Sequence, residues 1–282
     1  MRGIQQAIYT EVCGNTQEDG KAYGTAYLRN VIKIHIERKA KKMKEYRKDV
    51  LTVKDIAYMM DPSVLKLDTT IRDVEAMVEA CRKYDFGSCF CWPCYYPQLV
   101  EMLKGTNTAF GTSLAFPSGQ ESTETKVYMA HDFMKLNPVE NDMVMNVGWL
   151  KAGLYDKVLE DIKAVREATR GTSLKVIIEA MVLTDEEIVK ACELCIEGGA
   201  DYVKTGTGFS KEPTSLHHVE LIKATVGDRA KVKVAGGVRD LETLLKMYKR
   251  GACRFGIGLS SAVKIIEEAI AVGHDIDMSE ID

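Results

Sequence analysis

The sequence has no long apolar segment and no strong excess of charge of one sign. No run in its 282 residues approaches the about 20 consecutive apolar residues that a membrane-spanning helix needs. The first residues, MRGIQQAIYTEV, have no apolar core of the kind found in signal peptides. The net charge of −3 gives no general attraction to nucleic acid or to an anionic membrane. These absences predict a cytoplasmic protein that has neither a nucleic-acid partner nor a membrane partner.

Histidines are missing beside the cysteine pairs. Of the eight cysteines, Cys89, Cys91 and Cys94 lie in CFCWPC, and Cys192 and Cys195 form a second C-x-x-C. Two such pairs can build a tetrahedral zinc site, but the first lies in a predicted strand and the second near the end of a predicted helix. A disulfide framework is typical of small secreted domains. The sequence therefore favours buried, reduced thiols over a metal site.

A dinucleotide-binding fingerprint is also absent, and this separates two fold classes. From about residue 50 the chain alternates short apolar runs with segments such as TTIRDVEAMVEACRKYD, whose apolar residues recur every three or four positions. An open doubly wound sheet would carry G-x-G-x-x-G directly after its first strand, and none is present there. The pattern predicts an α/β fold, a (β/α)8 TIM barrel. The apolar runs are residues 57–61, 87–92, 108–116, 141–148, 174–180, 200–206, 231–237 and 253–258.

Residues 1–50 do not follow this pattern. We predict that they form an N-terminal helical extension and that residues 51–282 form the barrel domain. The segment NVIKIHIERKAKKMKEYRKD starts with apolar residues and continues with a run of lysines and arginines. A basic helix can bind nucleic acid or a membrane, but we interpret this one as a solvated helix that packs on the barrel or on a second subunit. The expected assembly is a homo-oligomer.

Polar residues mark the ends of the predicted strands, where TIM barrels carry their active sites. They are Asp61, Asn146, Glu179, Lys204 and Lys233. Side chains alternate along a strand, so Lys233 shares a face with Lys231, and Lys204 shares one with Tyr202. If these faces point into the barrel, Lys204 and Lys233 lie in one pocket.

Two lysines in one pocket have a chemical consequence. A free lysine has a pKa of about 10.4 and is protonated at neutral pH, but burial and a neighbouring cation both favour the neutral amine. A neutral amine can attack a carbonyl and form a Schiff base, whose iminium accepts electrons while a carbon–carbon bond forms or breaks. Asp142 can move protons through water beside it. The alternative is a lysine whose side chain extends to solvent.

Glycines follow three of the predicted strands. Bare backbone amides at such positions can bind a phosphate, and phosphate sites in TIM barrels form after the last two strands. Glycine also permits a tight turn, so one position says little, whereas three clusters favour a phosphate site. The candidate phosphate-binding residues are Gly206, Gly208, Gly236, Gly237, Gly256 and Gly258.

With these motifs the chain resembles the deoxyribose-phosphate aldolases, a family of class I, Schiff-base-forming aldolases. KVIIEAMVLTDEEIVKACELCIEGGADYVKTGTGF is similar to the family's strand, helix and Schiff-base strand. VKVAGGVRDLETLLKMYKRGACRFG is similar to the segment with its second lysine. DIAYMMDPSVLK, FPSGQESTETKV and NDMVMNVGWLKAG match further blocks, so the resemblance covers roughly residues 50–265.

The resemblance implies an aldehyde lyase of carbohydrate catabolism that needs no metal or organic cofactor. Its small-molecule substrate, a sugar phosphate, would be 2-deoxyribose 5-phosphate, cleaved reversibly to acetaldehyde and glyceraldehyde 3-phosphate. Lys204 falls on the lysine that forms the imine, and Lys233 on the lysine that lowers its pKa. Asp142 falls on the aspartate that works through water. Asp61 and Ser63 fall on the polar pair that helps to place the substrate.

The chain departs from the family pattern in the region expected to hold phosphate. Ala235 replaces a serine before the double glycine, and Gly206 replaces a common serine. GIGLSS has extra residues before Ser260 and Ser261, and Trp92 stands where a small polar residue or a tyrosine is usual. These differences leave open a related class I aldolase that acts on a different phosphorylated or unphosphorylated sugar. A barrel that has lost catalysis and only binds is the remaining alternative.

Overall fold

The computed structural model of the protein describes residues 48–282. The predicted N-terminal extension, residues 1–50, lies almost entirely outside the described residues, and the domain boundary at residue 50 stays a prediction. The described part consists of a closed barrel and a separate two-stranded sheet.

The strands of the barrel follow one another in chain order. Within the described residues the strands are β1 (Val50–Leu51), β2 (Met60–Val64), β3 (Ser88–Cys91), β4 (Ala109–Leu114), β5 (Glu140–Val144), β6 (Ser173–Ile177), β7 (Tyr202–Lys204), β8 (Lys231–Ala235), β9 (Ala252–Gly258) and β10 (Ile276–Asp277). Each strand from β2 to β8 pairs in parallel with the next, and β9 closes the barrel against β2. This closure confirms the predicted TIM barrel.

Helices connect the strands and cover them. They are α1 (Val53–Met59), α2 (Ile71–Tyr84), α3 (Tyr96–Met102), α4 (Thr123–Met134), α5 (Val147–Lys151), α6 (Tyr155–Ala168), α7 (Asp185–Glu197), α8 (Leu216–Val226), α9 (Leu241–Lys249) and α10 (Leu259–Val272). Helix α2 shows why such segments become helical and where they pack. Its buried residues Val74, Met77, Val78 and Cys81 recur at intervals of three and four, which forms one apolar stripe. The stripe holds α2 against β2 and β3.

The first predicted strand, residues 57–61, is displaced in the structure. Helix α1 extends to Met59, and β2 begins only at Met60. The helix starts with a capping box, in which the Thr52 hydroxyl accepts the Asp55 amide and the Asp55 carboxylate accepts the Thr52 amide. Because this cap starts a helix at Val53, the apolar residues that follow lie on its buried face rather than in a strand.

The remaining strands, β1 and β10, form the separate sheet. They run antiparallel, with Val50 opposite Asp277 and Leu51 opposite Ile276. Leu51 and Ile276 are buried, as is Met278 just beyond β10. This sheet brings the first and last strands of the described chain side by side.

The cysteine pairs lie on separate elements, in a strand and in a helix as predicted. Cys89 and Cys91 belong to β3, while Cys192 and Cys195 belong to α7, and all four are buried. Burial raises the pKa of Cys91 and of Cys192 to about 12, so both stay as thiols at neutral pH. Among residues 48–282 no three His, Cys, Asp or Glu side chains are arranged to hold a metal ion.

A helix that crosses a membrane needs about 20 consecutive, mainly apolar residues. None of the helices in the described range combines the length and the apolar character needed to cross one.

Candidate active site

Charged side chains fill the middle of the barrel, although charged groups are rarely buried unless they are paired. The buried polar set is Asp61 from β2, Ser88 from β3, Glu140 and Asp142 from β5, Lys175 from β6, Lys204 from β7, Lys233 from β8 and Arg254 from β9. Strand register explains why the members meet. Lys204 is level with Lys233 across β7 and β8, and Asp142 is level with Lys175 across β5 and β6.

Asp142 joins the two predicted lysines. Its Oδ2 lies 2.8 Å from Nζ of Lys204 and 2.8 Å from Nζ of Lys233. Asp142 is the third residue of β5, so its carboxylate lies inside the barrel below the strand ends, and Lys204 is the last residue of β7. The structure therefore brings together the three residues that the sequence analysis singled out for catalysis.

A second group of charges, which the sequence analysis missed, surrounds these three. Lys175 Nζ lies 2.6 Å from Oε2 of Glu140 and 3.3 Å from Oδ1 of Asp142. Arg254 Nη2 contacts Oδ1 of Asp61 and lies 3.5 Å from Oε1 of Glu140. A signal was available, because Lys175 and Arg254 each stand inside an apolar run, as Lys204 and Lys233 do.

The ring of Phe90 lies among the three lysines. Its centroid is 4.4 Å from Nζ of Lys233 and 5.9 Å from Nζ of both Lys175 and Lys204. Gly111 on the neighbouring strand makes room for it, since a Cβ there would lie 2.4 Å from Cζ of Phe90. The ring excludes water from the ammonium groups and offers them its electron-rich face.

The surroundings of Lys204 favour its neutral form. Burial lowers the pKa of Lys204, and the cations of Lys233 and Lys175 lower it further, while the carboxylate of Asp142 opposes both effects. The net shift is downward, as the sequence analysis predicted from burial and a neighbouring cation. Its side chain keeps 8% of its surface exposed, whereas that of Lys233 has none, so Lys204 is the member of the pair that a substrate can reach.

Lys233 and Asp142 are held in their charged forms. Burial lowers the pKa of Lys233, but the carboxylates of Asp142, Asp61 and Glu140 outweigh burial and raise that pKa above its usual value. Burial raises the pKa of Asp142, but its three lysine neighbours outweigh burial and hold that pKa well below its usual range. A neutral nucleophile beside an ammonium–carboxylate pair is suited to attack on a carbonyl with local proton transfer.

A cavity of about 560 Å³ lies over the carboxyl ends of the strands, within the usual size of a small-molecule site. Among the residues that line it are the predicted Ser63, Gly208, Gly236, Gly237, Gly256 and Gly258. Gly256 connects the cavity to the lysines, since a Cβ there would lie 3.5 Å from Cε of Lys233 and 3.8 Å from Cε of Lys204. Gly208, Gly236 and Gly237 have φ values of +85°, +91° and +92°, which favour glycine.

Two predicted site residues lie elsewhere. Gly206 is not among the residues that line the cavity; a Cβ there would lie 2.2 Å from Cε of Met181 and 2.9 Å from Oε1 of Glu179. The methionine thus occupies the space that a side chain at position 206 would need. Asp61 likewise does not line the cavity, because its carboxylate lies deeper and pairs with Lys233 and Arg254.

Two other polar residues from predicted strand ends have structural roles. Asn146 caps α5, accepting the amide of Trp149 at 3.0 Å. Glu179 binds the loop after β7, accepting the amide of Thr207 at 3.2 Å and the hydroxyl of Ser210 at 2.9 Å. Both residues hold loops at the rim in place.

The cavity also has cationic and hydroxyl side chains that were not among the predicted site residues. Lys66, Arg239, Ser260 and Ser261 line it. Lys66 and Arg239 are exposed, and within the described residues neither forms an ion pair with a carboxylate. In the sequence only their positions indicate this role: Lys66 follows shortly after β2, and Arg239 follows the double glycine after β8.

Three aromatic rings pack against one another near the rim. The Phe209 ring centroid lies 5.4 Å from that of Phe116 and 6.5 Å from that of Trp92, and the Trp92 and Phe116 centroids are 6.0 Å apart. Trp92 Nε1 donates to the carbonyl of Lys66 at 2.8 Å. The unusual tryptophan thus ties the Lys66 loop to the rings, and Phe209 carries this apolar surface to the cavity.

The structure defines a TIM barrel whose interior carries a cluster of buried lysines and carboxylates. The sequence model described as DeoC/LacD family aldolase matches residues 55–266. Deoxyribose-phosphate aldolase from Mannheimia succiniciproducens is 41% identical over 213 residues, which are 76% of this chain and 94% of the relative. The chain belongs to the DeoC/LacD aldolase family. It is a lyase of the deoxyribose-phosphate aldolase type.

Two solved structures are similar to the barrel. A crystal structure of a candidate deoxyribose-phosphate aldolase from Coccidioides immitis has a TM-score of 0.75 and 33% identity, and covers 86% of this chain and 97% of its own. The tetrameric deoxyribose phosphate aldolase from Aeropyrum pernix has a TM-score of 0.71 and 24% identity, and covers 78% of this chain and 93% of its own. At that identity the second likeness concerns the fold alone.

Proposed function

We propose that the protein cleaves 2-deoxyribose 5-phosphate reversibly into acetaldehyde and glyceraldehyde 3-phosphate through a Schiff base on Lys204. The observation that carries this proposal is the pair of 2.8 Å contacts from Oδ2 of Asp142 to Lys204 and Lys233. These contacts give a nucleophile, a cation that favours its neutral form and a proton carrier within one buried site.

Bond formation starts at the open-chain sugar. The neutral amine of Lys204 attacks the C1 carbonyl to give a carbinolamine, and loss of water gives the iminium. Asp142 accepts and returns the protons of these steps, while Lys233 stays charged beside it. The C3 hydroxyl then gives its proton through water to Asp142, the C2–C3 bond breaks, and the electron pair of that bond moves into the iminium to form an enamine.

Release reverses the attachment. The C3–C5 fragment leaves as glyceraldehyde 3-phosphate. The enamine accepts that proton at C2 from Asp142, and water hydrolyses the resulting iminium to free acetaldehyde and Lys204. The cycle balances, since the C2–C3 bond is the one broken in the sugar and the proton taken from the C3 hydroxyl ends on C2.

The cavity supports a phosphorylated substrate. A phosphate there can accept hydrogen bonds from the backbone amides of the glycine turns and from Ser260 and Ser261. Arg239 and Lys66 offer it positive charge. The acceptor aldehyde then spans the distance from the glycine turns to the imine at Lys204.

A second candidate is a class I aldolase for a different sugar, phosphorylated or not. Ala235 and Gly206 lack the hydroxyls that the family places there, and the Met181 methyl fills the space beside Gly206. The apolar surface of Phe209 borders the same cavity. These features favour an acceptor that makes fewer polar contacts near the phosphate region.

We also propose a cytoplasmic homo-oligomer. The tetramer described for the Aeropyrum pernix protein supports the assembly of this barrel into an oligomer. Light scattering coupled to size exclusion tests it, and a monomer at micromolar concentration would contradict it.

Borohydride trapping tests the function. The protein is incubated with acetaldehyde or, separately, with 2-deoxyribose 5-phosphate, then reduced and mapped by peptide mass. We expect an ethyl adduct on Lys204 from both compounds and none in Lys204→Leu. An adduct from acetaldehyde alone would favour the second candidate. Absence of any adduct, or an adduct on another lysine in place of Lys204, would overturn the proposal.

A further inference from the structure

The ionic cluster of the barrel contains one more base than acid. Among the described residues, ion-pair contacts connect the members of this cluster into a single group. The three carboxylates are Asp61, Glu140 and Asp142, and the four bases are Lys175, Lys204, Lys233 and Arg254. All seven are buried. A dry interior penalises net charge, so the cluster is balanced when one of the four bases is neutral.

Position decides which base can give up its proton. Arginine stays protonated in proteins, and Lys233 contacts two carboxylates, those of Asp61 and Asp142. Lys175 also lies within 3.3 Å of two, those of Glu140 and Asp142. Lys204 contacts only Asp142 within the cluster. The neutral base is therefore Lys204.

Arg254 is built into the deep side of this cluster. Its Nη1 donates to the carbonyl of Tyr58 at 3.1 Å, and its Nη2 donates to the hydroxyl of Ser88 at 3.2 Å. Gly87 leaves the space for it, since a Cβ there would lie 2.6 Å from Nη1. The guanidinium of Arg254 is thus held on the deep side by Tyr58, Asp61 and Ser88, and its side chain is only 4% exposed, so it acts on the reaction through other residues.

We propose that Arg254 is a positioning residue for the proton state of Lys204. By pairing with Asp61 and Glu140, Arg254 adds a third positive charge to those of Lys175 and Lys233. These three cations balance the three carboxylates of the cluster. No carboxylate charge is then left for Lys204 to neutralise. The inference rests on the proposed function, in which Lys204 is the amine that forms the imine.

The charges of the cluster surround Lys204 on several strands. They are Asp61, Glu140, Asp142, Lys175, Lys233 and Arg254. Outside the cluster, Tyr202 lies beneath Lys175 and Lys231, and Glu179 binds the amide of Thr207 in the loop after β7. Burial and the cations lower the pKa of Lys204 against the opposition of Asp142. Removing one distant charge should shift that pKa in a direction set by the sign of the charge removed.

The test uses two substitutions of opposite sign. Arg254→Met removes a cation, so Lys204 should hold its proton more tightly, with a pKa higher by about one unit. Glu140→Gln removes an anion at nearly constant volume, so the pKa should fall by about one unit. The double variant restores the balance and should return the pKa to that of the unaltered protein. Arg250→Met, which removes a half-buried arginine paired with Glu220 outside the cluster, is the matched control and should leave the pKa unchanged.

The pKa is read in two ways on the full chain. The first is the pH dependence of acetylation of Lys204 by acetic anhydride, followed by peptide mass. The second is the pH dependence of acetaldehyde trapping. Acetylation needs no imine chemistry, so it still tests Arg254 if trapping fails and the proposed function is lost.

The outcomes are distinct. Opposite shifts from the two single variants, with recovery in the double variant, support the role of Arg254. Equal pKa values in all variants, shifts of the same sign, or an equal shift in Arg250→Met would overturn it. If Arg254→Met does not fold, the comparison of Glu140→Gln with the charge-balanced double variant decides: recovery in the double variant supports the proposal, and its absence overturns it.

Discussion

Lys204 Nζ and Asp142 Oδ2 lie 2.8 Å apart in the barrel interior, although 62 positions separate them in the chain. The carboxylate favours the protonated amine, whereas burial and two further lysines favour the free amine. The second influence is the larger, chiefly because of burial, and Asp142 is shared with Lys233 and Lys175. Asp142 can thus serve as a proton carrier next to a lysine that is still able to react.

Lys204→Leu should abolish turnover while leaving the barrel folded. Leucine retains most of the apolar part of the side chain but has no amine to form the imine, so kcat should fall at least about 10³-fold. Aldol cleavage and circular dichroism measure the two properties. Lys157→Leu, at an exposed position on α6, is the control and should keep full activity. Measurable cleavage by Lys204→Leu would contradict the mechanism.

Asp142→Asn should lower both activity and stability. The amide keeps the shape but removes the anion, so proton transfer slows and kcat should drop about 10² to 10⁴-fold. Lys233 and Lys175 would each lose a carboxylate partner, which should cost about 3 kcal/mol of the free energy of unfolding. Kinetics and urea denaturation measure both effects. Asp156→Asn, at an exposed site in the first turn of α6, should leave kcat unchanged and cost less than about 1 kcal/mol of stability.

The stability of the protein should depend on pH through Lys204. Its folded pKa is lowered, so between that value and about 10.4 the unfolded chain binds the additional proton. In this window the contribution of Lys204 to the free energy of unfolding rises with pH. Denaturation of the unaltered protein and of Lys204→Leu from pH 7 to 10 measures the contribution as a difference. A constant difference over this range would show that the folded pKa is not lowered.

Arg239→Met should separate phosphorylated from unphosphorylated substrates. Arg239 lines the cavity but is absent from the buried cluster, so its loss should weaken phosphate binding without changing the imine chemistry. We expect KM for 2-deoxyribose 5-phosphate to rise about tenfold, the effect of losing about 1.4 kcal/mol. KM for 2-deoxyribose should stay the same. An equal effect on both sugars would argue against a phosphate at this position.

Gly206→Ser should destabilise the protein unless Met181 is shortened at the same time. A Cβ at position 206 would lie 2.2 Å from Cε of Met181, so the serine should cost about 1 to 3 kcal/mol by overpacking. In combination with Met181→Ala the loss should be smaller than the sum of the single losses, because the two residues share one space. Thermal or urea denaturation of the single and double variants measures this. Additive losses would show that the contact is unimportant.

The barrel was predictable because its strands are apolar and its helices carry periodic stripes. The error was local: residues 57–59 read as strand, yet the capping box of Thr52 and Asp55 starts a helix that reaches Met59. A short apolar run fits a buried helix end as well as a strand. Side-chain hydrogen bonds at the helix start decided between them.

The site was predictable to the extent that its residues interrupt an apolar pattern. Lys204 and Lys233 were found because the alternation of side chains along each strand assigned each lysine to a face that could point into the barrel. Glu140 was missed because it precedes its predicted run, and Arg254 because its partners come from β2, β3 and β5. Which charges pair inside a barrel depends on the register between strands, and the sequence of one strand does not contain that register.

The pairing of β1 with β10 has a topological consequence. Val50 and Asp277 are opposite one another, so the path of the barrel chain starts and finishes in one place and forms a nearly complete ring. A short peptide could join these points, and new termini could be opened at the loop around Gly105, where a Cβ would meet no other atom within 4 Å. The order in which the eight strands are synthesised is thus separable from the barrel that they form.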